Sequence, residues 1–323
     1  MPPVPKIVCI GGAAVDRKYR ARGALAGGTS NPVTSECLFG GVARNVAENL
    51  ARLGATVSLV SAVGADDHGR CLVAGLQALG IDAGHVAVVP DHRTAEYVAV
   101  LEPNGDLAIG LADMAIFDWL QPTRLLAALD TLAAVDWVFA DCNLPAESLG
   151  ALILRSRETG VPLAVDAVSV AKVRRLPRDL NGVGLLVLNR DEAAALSGDD
   201  PAGTPERDRA FGHARNLLAR GAARVIVMQG QGELIVAGSS GVTAMRPYEA
   251  SLVDATGAGD ALIAATIRGL VAGDTLVEAA RLGICAATLT VESRHSVRPD
   301  LSFALIEVCR HRPLQPLLKN EVP

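Results

Sequence analysis

Near its C-terminus the chain reads Asp254-Ala255-Thr256-Gly257-Ala258-Gly259-Asp260-Ala261-Leu262 and continues as an apolar run to Val271. Two glycines around one small residue allow the backbone to turn sharply and to bring its N–H groups close to an anion. The apolar run predicts a helix over 261–271, so the turn lies at a helix N-terminus, where free N–H groups and the helix dipole favour negative charge. The stretch therefore predicts a phosphate-binding turn formed by Gly257, Ala258 and Gly259.

Asp260 follows this turn directly and would repel a bound phosphate if it were only a surface residue. A chemical role explains it better, because a carboxylate there can accept the proton of a hydroxyl group that attacks the phosphate. The alternative is an ordinary acidic residue in the first turn of a helix. The presence of Asp254 and Thr256 just before the turn favours the chemical role, and Asp260 is the predicted catalytic base.

This stretch resembles the second signature of the ribokinase-like (PfkB) sugar and nucleoside kinases. The first signature of that family is matched by Gly40-Gly41-Val42-Ala43-Arg44-Asn45-Val46-Ala47, which opens an amphipathic helix. The two matches are in the expected order, and the resemblance extends from about Lys6 to about Val308. It implies one kinase domain over residues 1–323 with an α/β fold, a three-layer sandwich with a mostly parallel central sheet and a small inserted β-sheet lid.

Composition excludes several other classes of protein. The chain has 323 residues, a net charge of −5 and no basic cluster, which argues against binding to nucleic acid or to acidic membranes. No stretch resembles a signal peptide or is long and apolar enough to span a bilayer. The cysteines form no Cys-x-x-Cys pair and the histidines show no metal spacing, so neither zinc nor a disulfide framework is indicated. We expect a cytoplasmic enzyme.

Short apolar runs alternate with helical segments along most of the chain. This alternation predicts parallel strands that are joined by right-handed helical crossovers and covered on both faces. A loop is expected at 199–205. The predicted strands are 6–10, 56–60, 135–140, 162–165, 184–188 and 224–228, and helices are predicted at 41–53 and 69–79.

Two segments interrupt the alternation. Residues 13–39 contain no strong helix, and residues 94–113 contain two β-like runs around Pro103-Asn104-Gly105, where Asn-Gly is a strong hairpin signal. We interpret both segments as a small sheet at the mouth of the main domain. The family resemblance implies that such a sheet is a lid over the substrate and a dimer interface, which predicts a homodimer.

Ligands of open α/β sheets lie beyond the carboxyl ends of the strands, and Asp16 follows the first strand closely. A carboxylate there can accept hydrogen bonds from two neighbouring ribose hydroxyls, which is the role that the resemblance implies; the alternative is a turn aspartate. Gly40 and Gly41 lack side chains and would let a sugar lie against the backbone. Asn45, one helical turn later, can both donate and accept, which suits a ribose hydroxyl.

The nucleotide side is expected at the next strand ends. Asn189 and Glu192 resemble the Asn-x-x-Glu element of the family, which implies that they hold Mg²⁺ through water while the ion bridges the phosphates of ATP. The alternative for Glu192 is an acidic residue at a helix N-terminus. Gly230 and Gly232, after a further strand, are expected to contact ATP, together with Asn189, Thr256, Gly257 and Gly259.

A monovalent cation is implied for many members of this family. Asp254 and Thr256 could supply oxygen atoms to such a cation, for instance K⁺. Residues near Ser293 and Ser296 would complete its shell.

Several segments, mainly in the lid and at strand ends, resemble those of the family members that act on pseudouridine. They are residues 30–32, 40–45, 94–97 with the hairpin that runs to 114, 140–143, 166–172 and 299–302. The resemblance implies transfer of the γ-phosphoryl group of ATP to the ribose 5′-hydroxyl of this nucleoside. The alternatives are a kinase of ribose or of adenosine or inosine, and a catalytically silent member that senses a nucleoside. Retention of Asp260 with both glycines argues against a silent protein. The side chains expected near the base are the acceptors Asn31, Asp113 and Asn143 and the donor Lys172, whereas Arg174-Arg175 is expected to be a solvated loop.

Overall fold

The computed structural model describes residues 4–132, 134–198, 206–229 and 233–315. Its strands are β1 (Lys6–Ile10), β2 (Ala14–Ala21), β3 (Val33–Gly40), β4 (Thr56–Gly64), β5 (Asp82–Val89), β6 (Glu96–Leu101), β7 (Leu107–Asp113), β8 (Trp137–Asp141), β9 (Leu163–Asp166), β10 (Val183–Asn189), β11 (Val225–Met228), β12 (Leu234–Gly238) and β13 (Gly241–Met245). Its α-helices are α1 (Val42–Arg52), α2 (Asp67–Ala78), α3 (Pro122–Thr131), α4 (Ala146–Thr159), α5 (Val170–Val173), α6 (Arg190–Ser197), α7 (Glu206–Ala219), α8 (Ala258–Val271), α9 (Leu276–Val291) and α10 (Phe303–Cys309).

A nine-stranded sheet of order β13-β12-β11-β10-β9-β8-β1-β4-β5 forms the centre of the molecule. The pairs from β11 to β5 are all parallel, as the alternating sequence pattern predicts. The sequence reading missed β12 and β13, which add an antiparallel edge next to β11. The turn Gly238-Ser239-Ser240-Gly241 between them is a hairpin signal that was available in the sequence.

Helices cover both faces of this sheet. One apolar core lies between the sheet and α1, α8 and α9, and a second lies between the opposite face and α4, α6 and α7. Phe139 on β8 is fully buried in the first core, and Phe117, in the 3-10 helix Ala115–Trp119, is fully buried in the second. Burial of each such side chain contributes about 1.5–3 kcal/mol. The result is a three-layer α/β sandwich.

A separate four-stranded sheet of order β3-β2-β6-β7 stands over the carboxyl end of β1. We call it the small sheet. Strand β2 follows β1 after a short connection, and β3 leads straight into α1. The hairpin predicted at Asn104-Gly105 is confirmed, because β6 and β7 pair antiparallel around it. All four strands fall within or one residue beyond the segments that break the alternation of the sequence.

No helix in the described part of the chain is long and apolar enough to cross a membrane. The loop predicted at 199–205 lies outside the described residues.

Candidate active site

Polar side chains meet at the carboxyl edge of the central sheet. Asp141 ends β8, Asp166 ends β9 directly beside it, and Asn189 ends β10. Adjacent parallel strands are about 4.8 Å apart, so these residues form one row beyond the sheet. The N-termini of α1 and α8 and the base of the small sheet face the same edge.

Helix α8 begins at the glycine turn, as its sequence predicts. Gly257 is the N-cap with a φ of 82°, and a Cβ added there would lie 1.8 Å from the carbonyl oxygen of Ser296. The amide of Ala258 donates to the carbonyl of Ala255 at 3.3 Å. Among the described residues, the amides of Gly257, Gly259 and Asp260 have no backbone acceptor, which leaves them available to an anion.

The carboxylate of Asp260 is held by a buried polar chain on α1. Asn45 donates from Nδ2 to Oδ2 of Asp260 at 2.9 Å, and its own Oδ1 accepts from Arg44 at 3.0 Å. Arg44 pairs with Glu48 at 2.5 Å one turn later. Asn45 was expected to bind a ribose hydroxyl; in the structure its amide orients the predicted base.

Burial and charge set the proton affinity of Asp260. Burial raises its pKa, the carboxylates of Asp141 and Asp16 raise it further, and the hydrogen bond from Asn45 and the charge of Arg44 oppose them; the pKa is about 7. A carboxylate with a pKa near neutrality is well suited to accept a proton during catalysis.

Asp16 lies on β2 of the small sheet, next to Gly40 at the start of α1. A Cβ on Gly40 would lie 1.9 Å from Oδ2 of Asp16, and a Cβ on Gly41, whose φ is 96°, would lie 2.5 Å from the carbonyl oxygen of Gly12. The glycines therefore make room for protein atoms, and the expected contact of a sugar with their backbone stays a prediction. Burial raises the pKa of Asp16 to about 6 against the opposing charges of Lys18 and Arg44.

Asp141 has a structural role that the sequence reading missed. Its Oδ2 accepts from the amides of Gly12 at 2.8 Å and Ala43 at 2.9 Å, and its Oδ1 accepts from the amide of Asn143 at 2.9 Å. It supplies the N-terminal acceptor for α1. Burial raises the pKa of Asp141. The only signal in the sequence was an acidic residue at the end of an apolar run.

The side chains of Asn143 and Lys172 contact each other, and Nδ2 of Asn143 lies beside Gly12. Lys172 donates from Nζ to Oδ1 of Asn143 at 2.6 Å, and burial lowers the pKa of this lysine. The expectation of a solvated basic loop is wrong for Arg175, because its guanidinium donates to the carbonyls of Cys142, Asn143 and Leu144 at 2.8–3.1 Å. Arg175 thereby fixes the loop that carries Asn143.

Asn189 and Glu192 form a capping box at the start of α6. Asn189 Oδ1 accepts from the amide of Glu192 at 2.9 Å, and Glu192 Oε2 accepts from the amide of Asn189 at 2.7 Å. Burial raises the pKa of Glu192. Among the described residues, Glu192 Oε1 accepts no hydrogen bond. The capping box keeps the carboxylate close to the strand ends.

Asp166 is a second residue at this edge to which the sequence assigned no role of its own. It is buried, accepts one hydrogen bond from the amide of Val168 at 2.8 Å and has no ion-pair partner among the described residues. Burial and the charges of Asp260, Glu192 and Asp141 raise its pKa well above the ordinary value. These closely spaced carboxylates suit a hydrated divalent cation, although no group of three metal-ligating side chains in the described chain is arranged for direct coordination.

Of the remaining predicted site residues, Asn31 lies away from the carboxyl edge of the central sheet. The amide of Asn31 closes its own turn by bonding to Ala26 and Thr29, beyond the far end of the β2–β3 pair. Asp113 is exposed at the site end of β7. Gly230 and Gly232 lie outside the described residues. Asp254 and Thr256 precede α8 as expected, and the ammonium group of Lys18 contacts both.

Residues 4–301 match the sequence model of the family described as "pfkB family carbohydrate kinase". The chain belongs to the pfkB family of carbohydrate kinases. Members of this family are phosphotransferases with an alcohol group as acceptor, in agreement with the position of Asp260 at the glycine turn. Kinases of this fold have been solved with ATP and with ADP bound.

Individual relatives of this pfkB kinase differ in their substrates. It is 30% identical to pseudouridine kinase of Escherichia coli over 92% of this chain and 94% of that protein. It is also 30% identical to guanosine-inosine kinase of Exiguobacterium acetylicum over 82% of this chain and 87% of that one. A carbohydrate kinase from Agrobacterium tumefaciens superimposes with a TM-score of 0.83 and 32% identity, covering 97% and 99% of the two chains.

Proposed function

We propose that this pfkB kinase transfers the γ-phosphoryl group of ATP to the ribose 5′-hydroxyl of pseudouridine, which yields pseudouridine 5′-phosphate and ADP. The observation that carries the transfer is Asp260, held by Asn45 at the N-terminus of α8. The 5′-oxygen forms a bond to the γ-phosphorus while the bond to the β-phosphate oxygen breaks. Asp260 accepts the hydroxyl proton, and the amides of Gly257 and Gly259 stabilise the transferring group.

The acidic strand ends support a requirement for Mg²⁺. Asp166 and Glu192 are buried carboxylates without a cationic partner in the described residues, so they would hold the ion through its water shell, with Asn189 beside them. The ion would neutralise charge on the phosphates of ATP. The position of Asp16 on the small sheet, next to Gly40 at the start of α1, supports a role in accepting hydrogen bonds from the ribose of the acceptor.

Asn143 and Lys172 support pseudouridine as the acceptor. An ammonium group can only donate, so the atom of Asn143 that faces Lys172 is its oxygen, which retains a second lone pair. This places one acceptor next to one donor. The N1–H and C2 carbonyl of pseudouridine lie side by side and match that pair. Uridine bound in the same orientation about its glycosidic bond would present C5–H in place of N1–H, and only rotation of its base would bring N3–H to that position.

The equally similar guanosine-inosine kinase favours a purine nucleoside kinase as the second candidate. Release of ADP with Mg²⁺ and ATP should be compared for pseudouridine, uridine, inosine, adenosine and ribose. Pseudouridine should give the highest kcat/KM. A higher value for another acceptor would reject the substrate and keep the kinase, and no ADP release with any acceptor would support the silent nucleoside sensor.

The small sheet also supports the expectation of a homodimer. Side chains alternate along strands, so Ile109 and Leu111 on β7 share the face opposite Asp16 with Val98 and Val100 on β6. Ile109 and Leu111 are more than half exposed, and β7 is an edge strand. An exposed apolar edge of this kind favours pairing with a second copy.

A further inference from the structure

Lys18 connects the small sheet to the catalytic loop. Its Nζ lies 2.6 Å from Oδ2 of Asp254 and 3.4 Å from Oγ1 of Thr256, a contact across 236 residues of sequence. Both partners belong to the stretch that leads into Gly257 and Asp260. The lysine side chain is largely enclosed, with 21% of its surface exposed.

The contact involves the two residues that could supply oxygen atoms to a monovalent cation according to the family resemblance. Oδ2 of Asp254 binds the ammonium group, and Oδ1 accepts from the amide of Thr256 at 2.8 Å. Both carboxylate oxygens therefore have partners already. Burial alone raises the pKa of Asp254, but the hydrogen bonds from Lys18 and Thr256 outweigh it and bring the pKa below its ordinary value. A second cation bound to this carboxylate would be repelled by the ammonium group.

The position of Lys18 on its strand also matters. It lies two residues after Asp16, so both side chains lie on the same face of β2. One strand face thus carries the carboxylate for the acceptor sugar and the ammonium group that holds the loop before Asp260. Any shift of β2 relative to the main domain must move both.

We propose that Lys18 is a fixed cation of this active site, which takes the place of a free monovalent cation at Asp254 and Thr256 and couples the small sheet to the catalytic loop. Lys18 is a positioning residue, since it touches the loop and not the reacting atoms. The inference rests on the proposed kinase function for its activity readout only; the stability readout needs no substrate.

The test compares thermal unfolding and ADP release in KCl and in choline chloride of equal ionic strength. Unfolding is measured on the free protein, and activity is measured with whichever acceptor proves best. The wild type should have the same Tm and the same kcat in both salts. Lys18→Met should lose activity in choline chloride, and K⁺ should raise its Tm and restore its kcat by at least about fivefold.

Two further variants separate charge from shape. Lys18→Arg keeps the positive charge and should remain indifferent to K⁺. Arg20→Met removes a charge from the same face of β2, where Arg20 is exposed, and should also remain indifferent. A wild type that K⁺ activates or stabilises would overturn the proposal. So would a Lys18→Met protein whose Tm and kcat do not respond to K⁺, whether that protein is active or inactive.

Discussion

The side-chain amide of Asn45 donates a hydrogen bond to Oδ2 of Asp260 at 2.9 Å and so joins the first helix of the fold to the start of α8. Arg44 fixes the orientation of that amide by donating to its oxygen, and Glu48 in turn pairs with Arg44. The carboxylate of Asp260 consequently has one oxygen committed to Asn45 and one that can accept a proton. The two glycine-containing signatures of the sequence thus meet in a single hydrogen bond.

Replacement of this amide should change the pH dependence of turnover. The hydrogen bond from Asn45 favours the ionised form of Asp260 and opposes the burial that raises its pKa; with both effects present the pKa is about 7. Its loss in Asn45→Ala raises the pKa, so the rising limb of the kcat profile should move to higher pH by about 0.5–1 unit. Asn49→Ala is the matched control, because Asn49 lies one turn later on α1, donates to the carbonyl of Asn45 and makes no hydrogen bond to Asp260. An unshifted profile in Asn45→Ala would contradict the role of this amide.

Asp260→Asn should lose turnover and gain stability at the same time. Loss of the base should lower kcat by about 10²–10⁴-fold with both substrates saturating. Because the folded-state pKa of Asp260 is raised from 3.8 to about 7, its stabilising contribution is complete below 3.8 and is lost as pH rises through about 7. The variant should therefore be more stable than the wild type by about 1–3 kcal/mol at about pH 8, and not at about pH 4. Urea unfolding at the two pH values measures this difference, and equal stability at the higher pH would contradict the raised pKa.

The two glycines of the turn should differ in their tolerance of a methyl group. Gly257→Ala forces a Cβ to 1.8 Å from the carbonyl oxygen of Ser296 at a positive φ, and should cost at least about 2 kcal/mol of unfolding free energy. Gly259 lies inside α8, where a Cβ would meet only the end of Met228 at 3.6 Å. Gly259→Ala should thus be neutral or stabilising by up to about 1 kcal/mol. Thermal unfolding of the two variants checks the contrast, and equal losses would show that the turn is not built as described.

Local patterns predicted much of this fold. The alternation of apolar runs and helical segments gave the parallel strands, and the glycine turn gave the start of α8 to within a few residues, because both depend on neighbours in sequence. The roles of Asp141 and Lys18 could not be predicted in that way. Asp141 caps α1 from a position 98 residues beyond Ala43, and Lys18 binds a carboxylate 236 residues away. Such contacts depend on the order of strands in the sheet, which no local pattern specifies.

A charge on the outer face of the small sheet should prevent dimer formation. Ile109→Asp places a carboxylate in the exposed apolar patch with Leu111, and its burial against a second copy would be costly. Light scattering at micromolar concentration should give a dimer mass for the wild type and a monomer mass for Ile109→Asp. Val88→Asp is the control, because Val88 is similarly exposed but lies on β5 of the central sheet; it should remain dimeric. A monomeric wild type would reject the dimer while leaving the role of Asp16 untouched.

Discrimination between pseudouridine and uridine should depend on Asn143 more than on Lys172. In the proposed binding mode, with the base in one orientation, both nucleosides would present a carbonyl oxygen to Lys172, but only pseudouridine would present N1–H to the Asn143 oxygen that Lys172 contacts. Uridine would leave that buried acceptor without its second partner, at a cost of about 1–3 kcal/mol, so kcat/KM for pseudouridine should exceed that for uridine by at least about tenfold. Asn143→Ala should lower the ratio of kcat/KM for pseudouridine to kcat/KM for uridine. Lys172→Met should lower kcat/KM for both nucleosides and leave this ratio largely unchanged. Asn31→Ala removes an amide that is hydrogen-bonded within its own turn, and should change kcat/KM for neither nucleoside. A ratio that survives in Asn143→Ala would mean that another group reads N1–H, and a wild type that prefers uridine would reject pseudouridine as the substrate.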